Sequence, residues 1–526
     1  MSDQRNILWV DDEIDLLRPH IKLLQAKGYG VETVTNGEDA IALVGQQPFD
    51  LIFLDESMVG MGGLETLAEI KDIDANLPVV MVTKNEAESV MEEAIGRRIS
   101  DYLTKPVNPT QILLVCKKFL DGKKIKADYA QQDYIREFNQ LAMKLMGPME
   151  WKEWAELYAR LAEWELEFDR HHNIGLEQTL GDQKRDANGE FSKYVEENYR
   201  DWLAMEKDDP ERPTLSPDII DRYVVPKLKE DSGPVFFFVV DCMRLDQWMA
   251  MEELLGEYFT INRDYYFGIL PTATTYARNS IFAGLFPSEI EKHYPDLWTG
   301  DGKDDDHSQN KYEKELLDKL LERRRISLRS GVRYVKIIDT DFGRKIESEI
   351  LDYAQSQMVA VVVNAVDMMA HSRSDYPILK EIAPDESAYR SLTKSWFTHS
   401  SLYGMLRTLA AEVPNARIIL TTDHGAVRCL RGSKALGDRE TSTNLRYKYG
   451  RNVKVDEKHA FYVKDPADFK LPKRGPAIEY VIAKEDYYFV YPTDYHYYLN
   501  HYRDSFQHGG ISMEEMILPI AELKAR

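Results

Sequence analysis

Residues 418–427 read IILTTDHGAV, an apolar, β-branched run that stops at Asp423-His424-Gly425. A buried parallel strand looks like this, with polar residues where the chain leaves the sheet. One reading makes the triplet a turn, in which Asp caps the next helix, Gly supplies a positive φ and His is incidental. The other makes it a site, and the pattern recurs elsewhere in the chain. GPVFFFVVD ends at Asp241, VAVVVNAVD at Asp367 and RIILTTD at Asp423, so three predicted strands of one α/β domain each deliver a carboxylate to the same sheet edge. His371 lies four residues beyond Asp367, His424 follows Asp423, and His508 stands in FQHGG. Mixed carboxylate and imidazole ligation suits Zn²⁺ or Mn²⁺, and six protein ligands are too many for one catalytic ion that must keep a position open. They suit two ions, whose natural chemistry is phosphoryl displacement. The segment ILPTATTYARNSIFAGLFP (269–287) offers hydroxyls for that reaction, with Thr272, Thr274 and Thr275 at a turn ahead of a helical pattern.

Length and composition limit the setting. A chain of 526 residues, 43% hydrophobic and 11% aromatic, predicts two to four folded domains. A formal net charge of −22 argues against broad, sequence-blind binding to duplex DNA or to anionic membranes. The three cysteines, Cys116, Cys242 and Cys429, are widely spaced, which excludes a disulfide framework or thiolate zinc site and fits a reducing compartment. The N-terminus MSDQRNILWVDDE has no signal pattern and no run reaches membrane-span length, so a soluble, cytoplasmic protein is expected.

The first 120 residues have the rhythm of a doubly wound parallel sheet. NILWV (6–10), GVETV (30–34), DLIFLD (50–55), PVVMVT (78–83) and DYLTKP (101–106) read as its five strands. Functional residues gather at the carboxyl ends of such strands, and those ends carry Asp11, Asp12, Asp55, Thr83 and Lys105. Clustered carboxylates repel one another unless a hard cation such as Mg²⁺ neutralises them, and Asp55 then becomes a nucleophile for phosphate. The set, with VDDE, the threonine of MVTKN and the Lys-Pro of LTKP, resembles the receiver domain of bacterial response regulators. That resemblance implies Mg²⁺ bound by Asp11, Asp12 and Asp55, and an acyl phosphate on Asp55 contacted by Thr83 and Lys105. It also makes Tyr102 the switch aromatic, implies a sensor histidine kinase as partner, and points to phosphorylation-linked pairing through the fourth and fifth helices. Val59 stands where many members have proline, which affects loop stiffness more than chemistry.

From 123 to 206, apolar residues recur at three- and four-residue intervals, and a polar break containing Gly175, Gly181 and Gly189 divides them. A helical bundle is predicted here, with Trp151, Trp154, Trp164 and Trp202 in its core. KDDPERPTLSPD (207–218), with three prolines and mixed charge, reads as a linker between the receiver (1–122) plus bundle and a large α/β domain at 219–526.

PTATTYARNSIFAGLFP, Asp367 with His371, Asp423-His424-Gly425 and HGG at 508–510 resemble the alkaline phosphatase superfamily and, within it, the PglZ domain. By this resemblance the PxxT pattern makes Thr274 the nucleophile, with Thr272 as its rival. Asp241, Thr274, Asp423 and His424 would hold one Zn²⁺, and Asp367, His371 and His508 the other. The domain order as a whole resembles response regulators associated with type IX secretion. This implies a zinc phosphodiesterase acting on linear and cyclic oligonucleotides, a homodimer, and a secretion-system or transcription partner. A sulfatase would need a Cys/Ser-x-Pro-x-Arg context that the nucleophile segment lacks. The remaining alternative is a non-enzymatic signalling platform whose metal domain binds protein partners. The stretch 479–502 holds eight tyrosines, some of which could stack on the bases of an oligonucleotide.

Overall fold

The computed structural model describes residues 5–84, 99–171, 175–230, 232–298, 310–438, 441–475 and 477–526. They form two compact units, Met1–Asp133 and Tyr134–Arg526.

In the first unit, five parallel strands lie in the order Gly30–Val34, Asn6–Val10, Leu51–Asp55, Val79–Thr83, Asp101–Thr104. Strands Leu51–Asp55 and Val79–Thr83 are buried at every residue, which is why their sequences are continuous apolar runs with no alternation. Alternate side chains serve opposite faces of the sheet. Ile7, Trp9, Leu51, Phe53, Val80 and Val82 pack with Leu24, Ile112 and Val115 on one side, while Leu8, Val10, Ile52, Leu54, Val79 and Met81 pack with Ala40, Leu67 and Ile70 on the other. Each large apolar side chain buried this way contributes about 1.5–3 kcal/mol. Strand order reverses between Asn6–Val10 and its neighbours, and the crevice of such a sheet opens at the carboxyl ends beside that reversal, where Asp11, Asp12 and Asp55 stand. Part of the predicted pairing surface, the fourth helix expected after Thr83, falls on residues 85–98, outside the described residues.

The second unit is built on a six-stranded sheet in the order Phe259–Phe267, Ile517–Ala525, Arg417–Thr421, Val235–Val240, Met358–Val363, Val332–Ile337. The last four are parallel, and the first two are added antiparallel. Val239 pairs with Thr421 and with Val362, so three strand ends lie level. Two of them deliver their carboxylate directly, Asp241 and Asp423. The third does not: the strand predicted to run to Asp367 ends at Val363, and Asp367 lies in the first turn of helix Ala365–Asp375. Helical spacing then sets Asp367 and His371 one turn apart as close neighbours on one face, about 5–6 Å between Cβ atoms, where a strand would hold them about 13 Å apart.

The middle helices fold as part of this second unit. Trp154, Trp164 and Trp202 are buried, whereas Trp151 is half-buried and donates from Nε1 to Pro210 O. Gly181 and Gly189 do not break the chain as their sequence context predicts, since both lie inside the 28-residue helix Glu177–Ala204. Tertiary contacts outweigh their poor helix propensity. Lys184 and Asn188 on the buried face bond Glu165, Glu386 and Glu514, and Leu180, Ala187, Phe191 and Val195 fill the core beside them. A Cβ added at either glycine would meet nothing within 4 Å. Gly181→Ala and Gly189→Ala should therefore each raise stability by about 0.5–1 kcal/mol, read as a higher midpoint in urea with unchanged slope.

The segment 207–218, expected to be a linker, is packed. Arg212 is buried between Trp202 O and Asp218, and Phe267 N donates to Thr214 O. Among the described residues no helix is long and apolar enough to cross a membrane.

Candidate metal and phosphoryl-transfer sites

Three groups among the described residues bring metal-type ligand atoms within 4.8 Å of one another: Asp11, Asp12 and Asp55; Asp241, Asp423 and His424; Asp367, His371 and His508.

In the first group Lys105 Nζ lies 2.8 Å from Asp11 Oδ2 and 3.0 Å from Asp55 Oδ2. Burial, together with the charges of Asp11 and Asp12, pushes Asp55 above the usual carboxylate range against the pull of Lys105. Burial also lowers Lys105, but its hydrogen bonds to Asp11 and Asp55 outweigh this and raise it. A hard cation relieves both effects. Thr83 is buried at the next strand end and donates to Glu56, a partner its sequence context does not announce. Tyr102 points outward, 42% exposed.

The second group forms where strands Val235–Val240 and Arg417–Thr421 end. Cys242 adopts a left-handed φ of 64°, which turns the chain sharply after Asp241. Its N–H and that of His424 both donate to Asp423 Oδ1, at 3.3 and 3.1 Å. Arg278 Nη1 takes Asp241 Oδ2 at 2.6 Å. The other two oxygens, Asp241 Oδ1 and Asp423 Oδ2, are buried and accept no hydrogen bond. Burial and the facing Asp241 push Asp423 well above its ordinary range, as expected of two carboxylates that need a cation between them. His424 Nδ1 contacts Gly425 O at 3.1 Å, and since a carbonyl only accepts, Nδ1 carries the proton. Burial also lowers the His424 pKa, so the ring is neutral and Nε2 presents a lone pair. Nε2 lies 3.7 Å from Asp241 Oδ1, 3.8 Å from Asp423 Oδ2 and 2.9 Å from Thr274 Oγ1. Gly425 is required by a close approach, because a Cβ there would stand 2.0 Å from Glu514 O.

In the third group Asp367 Oδ1 lies 3.3 Å from His371 Nε2 and 3.6 Å from His508 Nε2, and the two Nε2 atoms are 3.3 Å apart. Ligands about 2.0–2.1 Å from one tetrahedral zinc are roughly 3.3 Å apart, so this spacing fits an ion without rearrangement. Burial would raise Asp367, but His371 and His508 outweigh it and hold the carboxylate well below the usual range. The His424 and His508 rings stack at 4.2 Å between centroids, which makes the second and third groups neighbours. Gly509 turns the chain after His508 at φ +116°, and the loop is pinned by Glu515, which accepts from Gly510 N and pairs with buried Arg446.

The two candidate threonines differ in their surroundings. Thr274 opens helix Thr274–Ala283, so the positive end of that helix and the Thr274 hydroxyl face the second group together. Thr272 is buried, donating to Gly510 O at 2.8 Å and accepting from Gly509 N at 3.1 Å, a bracket for the His508 loop. Sequence reasoning missed Arg278 and Glu313, which pair at 2.6 Å. The available signal was a lone arginine one turn beyond Thr274 in an otherwise uncharged helix.

A sheet-edge acid pocket of this kind, together with a two-cluster Asp/His centre on a separate α/β sheet, defines a response regulator with an alkaline phosphatase-like effector domain. The model of the BREX system PglZ alkaline phosphatase-like domain matches residues 219–523, that of the response regulator receiver domain residues 7–117, and that of the PorX response regulator linker domain residues 124–203. The chain belongs to the PglZ family, as a PorX-type response regulator. Curated relatives match over part of the chain. The alginate biosynthesis transcriptional regulatory protein AlgB of Pseudomonas syringae is 36% identical over 126 residues, 24% of this chain and 28% of that protein. The transcriptional regulatory protein ResD of Bacillus subtilis is 31% identical over 119 residues, 23% of this chain and 49% of that protein. The matches thus span less than half of these relatives' length. Among solved structures, the chemotaxis protein CheY4 of Vibrio cholerae is 28% identical, covering 22% of this chain and 99% of its own, with a TM-score of 0.22.

Proposed function

We propose that a sensor histidine kinase phosphorylates Asp55, and that the PglZ domain is a two-zinc phosphodiesterase acting on linear or cyclic oligonucleotides in the control of type IX secretion. In this reading Asp241, Thr274, Asp423 and His424 hold one zinc, Asp367, His371 and His508 hold the other, and Asp11, Asp12 and Asp55 hold Mg²⁺. The observation that carries it is the Thr274 hydroxyl, 2.9 Å from His424 Nε2 at a helix N-terminus, beside two ligand groups joined by the stacked His424 and His508 rings. Bound there, zinc supplies positive charge for the phosphoryl oxygens and makes a nearby hydroxyl more acidic. Thr274 Oγ bonds to phosphorus as the bond to one leaving oxygen breaks, and water then cleaves the resulting threonyl phosphodiester, releasing a phosphomonoester. Asp367, His371 and His508 offer three ligand atoms, so an ion held there would keep a fourth position for water or substrate, which favours catalysis over a closed structural site. Turnover of bis(p-nitrophenyl) phosphate against p-nitrophenyl phosphate by the purified chain tests the reaction class. Diesterase activity is expected, and metal-loaded protein that hydrolyses neither ester would support a binding platform.

Two consequences are measurable. Acetyl phosphate or beryllofluoride should shift the wild-type chain from monomer toward dimer in light scattering and change diesterase activity several-fold to about a hundredfold, the usual size of such coupling. Asp55→Ala should not respond, and a wild-type chain unchanged in both mass and rate would contradict control through Asp55. For the substrate, Tyr480 and Tyr488 are buried, but Tyr497 and Tyr498 are 65% and 39% exposed on helix Tyr495–Tyr502 and stack on His501 and Tyr502. Base stacking contributes about 1–3 kcal/mol per base, so Tyr497→Ala and Tyr498→Ala should raise KM for an oligonucleotide roughly fivefold or more while sparing bis(p-nitrophenyl) phosphate. Equal effects on both substrates would count against stacking.

A further inference from the structure

Arg278 lies one helical turn beyond Thr274 and is buried. Its Nη1 donates to Asp241 Oδ2 at 2.6 Å and its Nε to Glu313 Oε1 at 2.6 Å. Glu313 is held in turn: Tyr334 donates to it, and Lys336 Nζ lies 3.8 Å from its Oε1. A guanidinium offers its donors in a rigid fork, so the Asp241 carboxylate cannot rotate without breaking a charge-assisted hydrogen bond. Oδ2 is thereby occupied, and Oδ1, buried without a hydrogen-bond partner, faces His424 Nε2 at 3.7 Å. Asp423 is treated alike, its Oδ1 occupied by two backbone N–H groups and its Oδ2 left over.

From this geometry we infer that Arg278 is a positioning residue, one that restricts Asp241 to single-oxygen ligation and locks that ligand to the helix presenting Thr274. The inference rests on the two-metal reading above. A carboxylate free to turn can give both oxygens to one ion, which fills the coordination position a substrate oxygen needs. Arg278 commits Oδ2 elsewhere and keeps that position available. Because the same helix carries Thr274, ligand and nucleophile keep a fixed separation.

The test uses the full-length chain, Co²⁺ and Zn²⁺ as probes, and bis(p-nitrophenyl) phosphate. Arg278→Lys keeps the charge but loses the fork. It should fold as wild type, bind metal about 10–100-fold more weakly, lose intensity in the visible Co²⁺ bands as coordination number rises, and lose kcat by a similar factor with KM within about threefold. Asp241→Asn should abolish binding in that half, because Arg278 takes the amide oxygen and turns the NH₂ toward His424. Adding Arg278→Met to Asp241→Asn frees the amide to turn and should restore part of the metal affinity, a recovery that a merely structural arginine would not give. A folded Arg278→Lys chain with wild-type metal affinity, Co²⁺ spectrum and kcat would overturn the inference, as would the absence of any recovery in the double variant. Should Arg278→Lys fail to fold, the Asp241→Asn pair decides. Wild-type chain that binds Co²⁺ without turnover sinks the phosphodiesterase reading alone, and the metal arms still decide Arg278. Wild-type chain that binds no metal sinks both.

Discussion

Thr274→Val is expected to lower diesterase turnover by about a thousandfold or more while the chain stays folded, because the substitution keeps the branched shape and removes the oxygen proposed to attack. The contrast with Thr272→Val makes this specific. Thr272 brackets Gly509 and Gly510, so its replacement strands a buried carbonyl and a buried N–H and should cost about 1–3 kcal/mol, seen as a lower Tm. The folded fraction of Thr272→Val should still turn over substrate. A Thr274→Val chain with wild-type rate, beside a folded but inactive Thr272→Val chain, would move the nucleophile two residues toward the N-terminus.

The second large effect concerns the ligands. Asp241→Ala and His508→Ala should each lower bound zinc and activity together, one in each half of the centre, with activity falling at least about a hundredfold. Asp241→Ala also leaves Arg278 facing the Asp423 carboxylate at 3.7 Å without its main partner, so some loss of Tm is expected there and less for His508→Ala. Metal content unchanged in both variants would remove the two-metal reading.

Much of the architecture was legible because the two sheets are buried on both faces. LIFLD and VFFFVV have to be continuous apolar runs, and the first charged residue after each run marks the carboxyl end of the strand, which is why Asp55 and Asp241 stand there. The same rule failed at VAVVVNAVD, where apolar residues continue past Val363 into a helix that packs against strand Ser505–Gln507 and helix Pro377–Ile382, so composition could not mark the change of period before Asp367. The first half of helix Glu177–Ala204 was hidden for the opposite reason. Its buried face carries Lys184 and Asn188, whose partners Glu386 and Glu514 come from distant segments, and a polar stretch with two glycines gives no local sign of them. The Arg278–Glu313 pair and the separate surroundings of Thr272 and Thr274 likewise depend on contacts made across the fold. In TATT the hydroxyls of Thr272 and Thr274 look alike, and their difference lies in Gly509, Gly510 and His424.

The most direct measurement is zinc stoichiometry and diesterase rate followed together, as chelator-stripped full-length chain is titrated with Zn²⁺. The Asp241–Asp423–His424 and Asp367–His371–His508 groups predict about two zinc ions bound per chain and turnover of bis(p-nitrophenyl) phosphate that appears only as the second site fills. Full activity with one ion or none, or two bound ions with no turnover of any phosphodiester, would contradict the two-zinc phosphodiesterase.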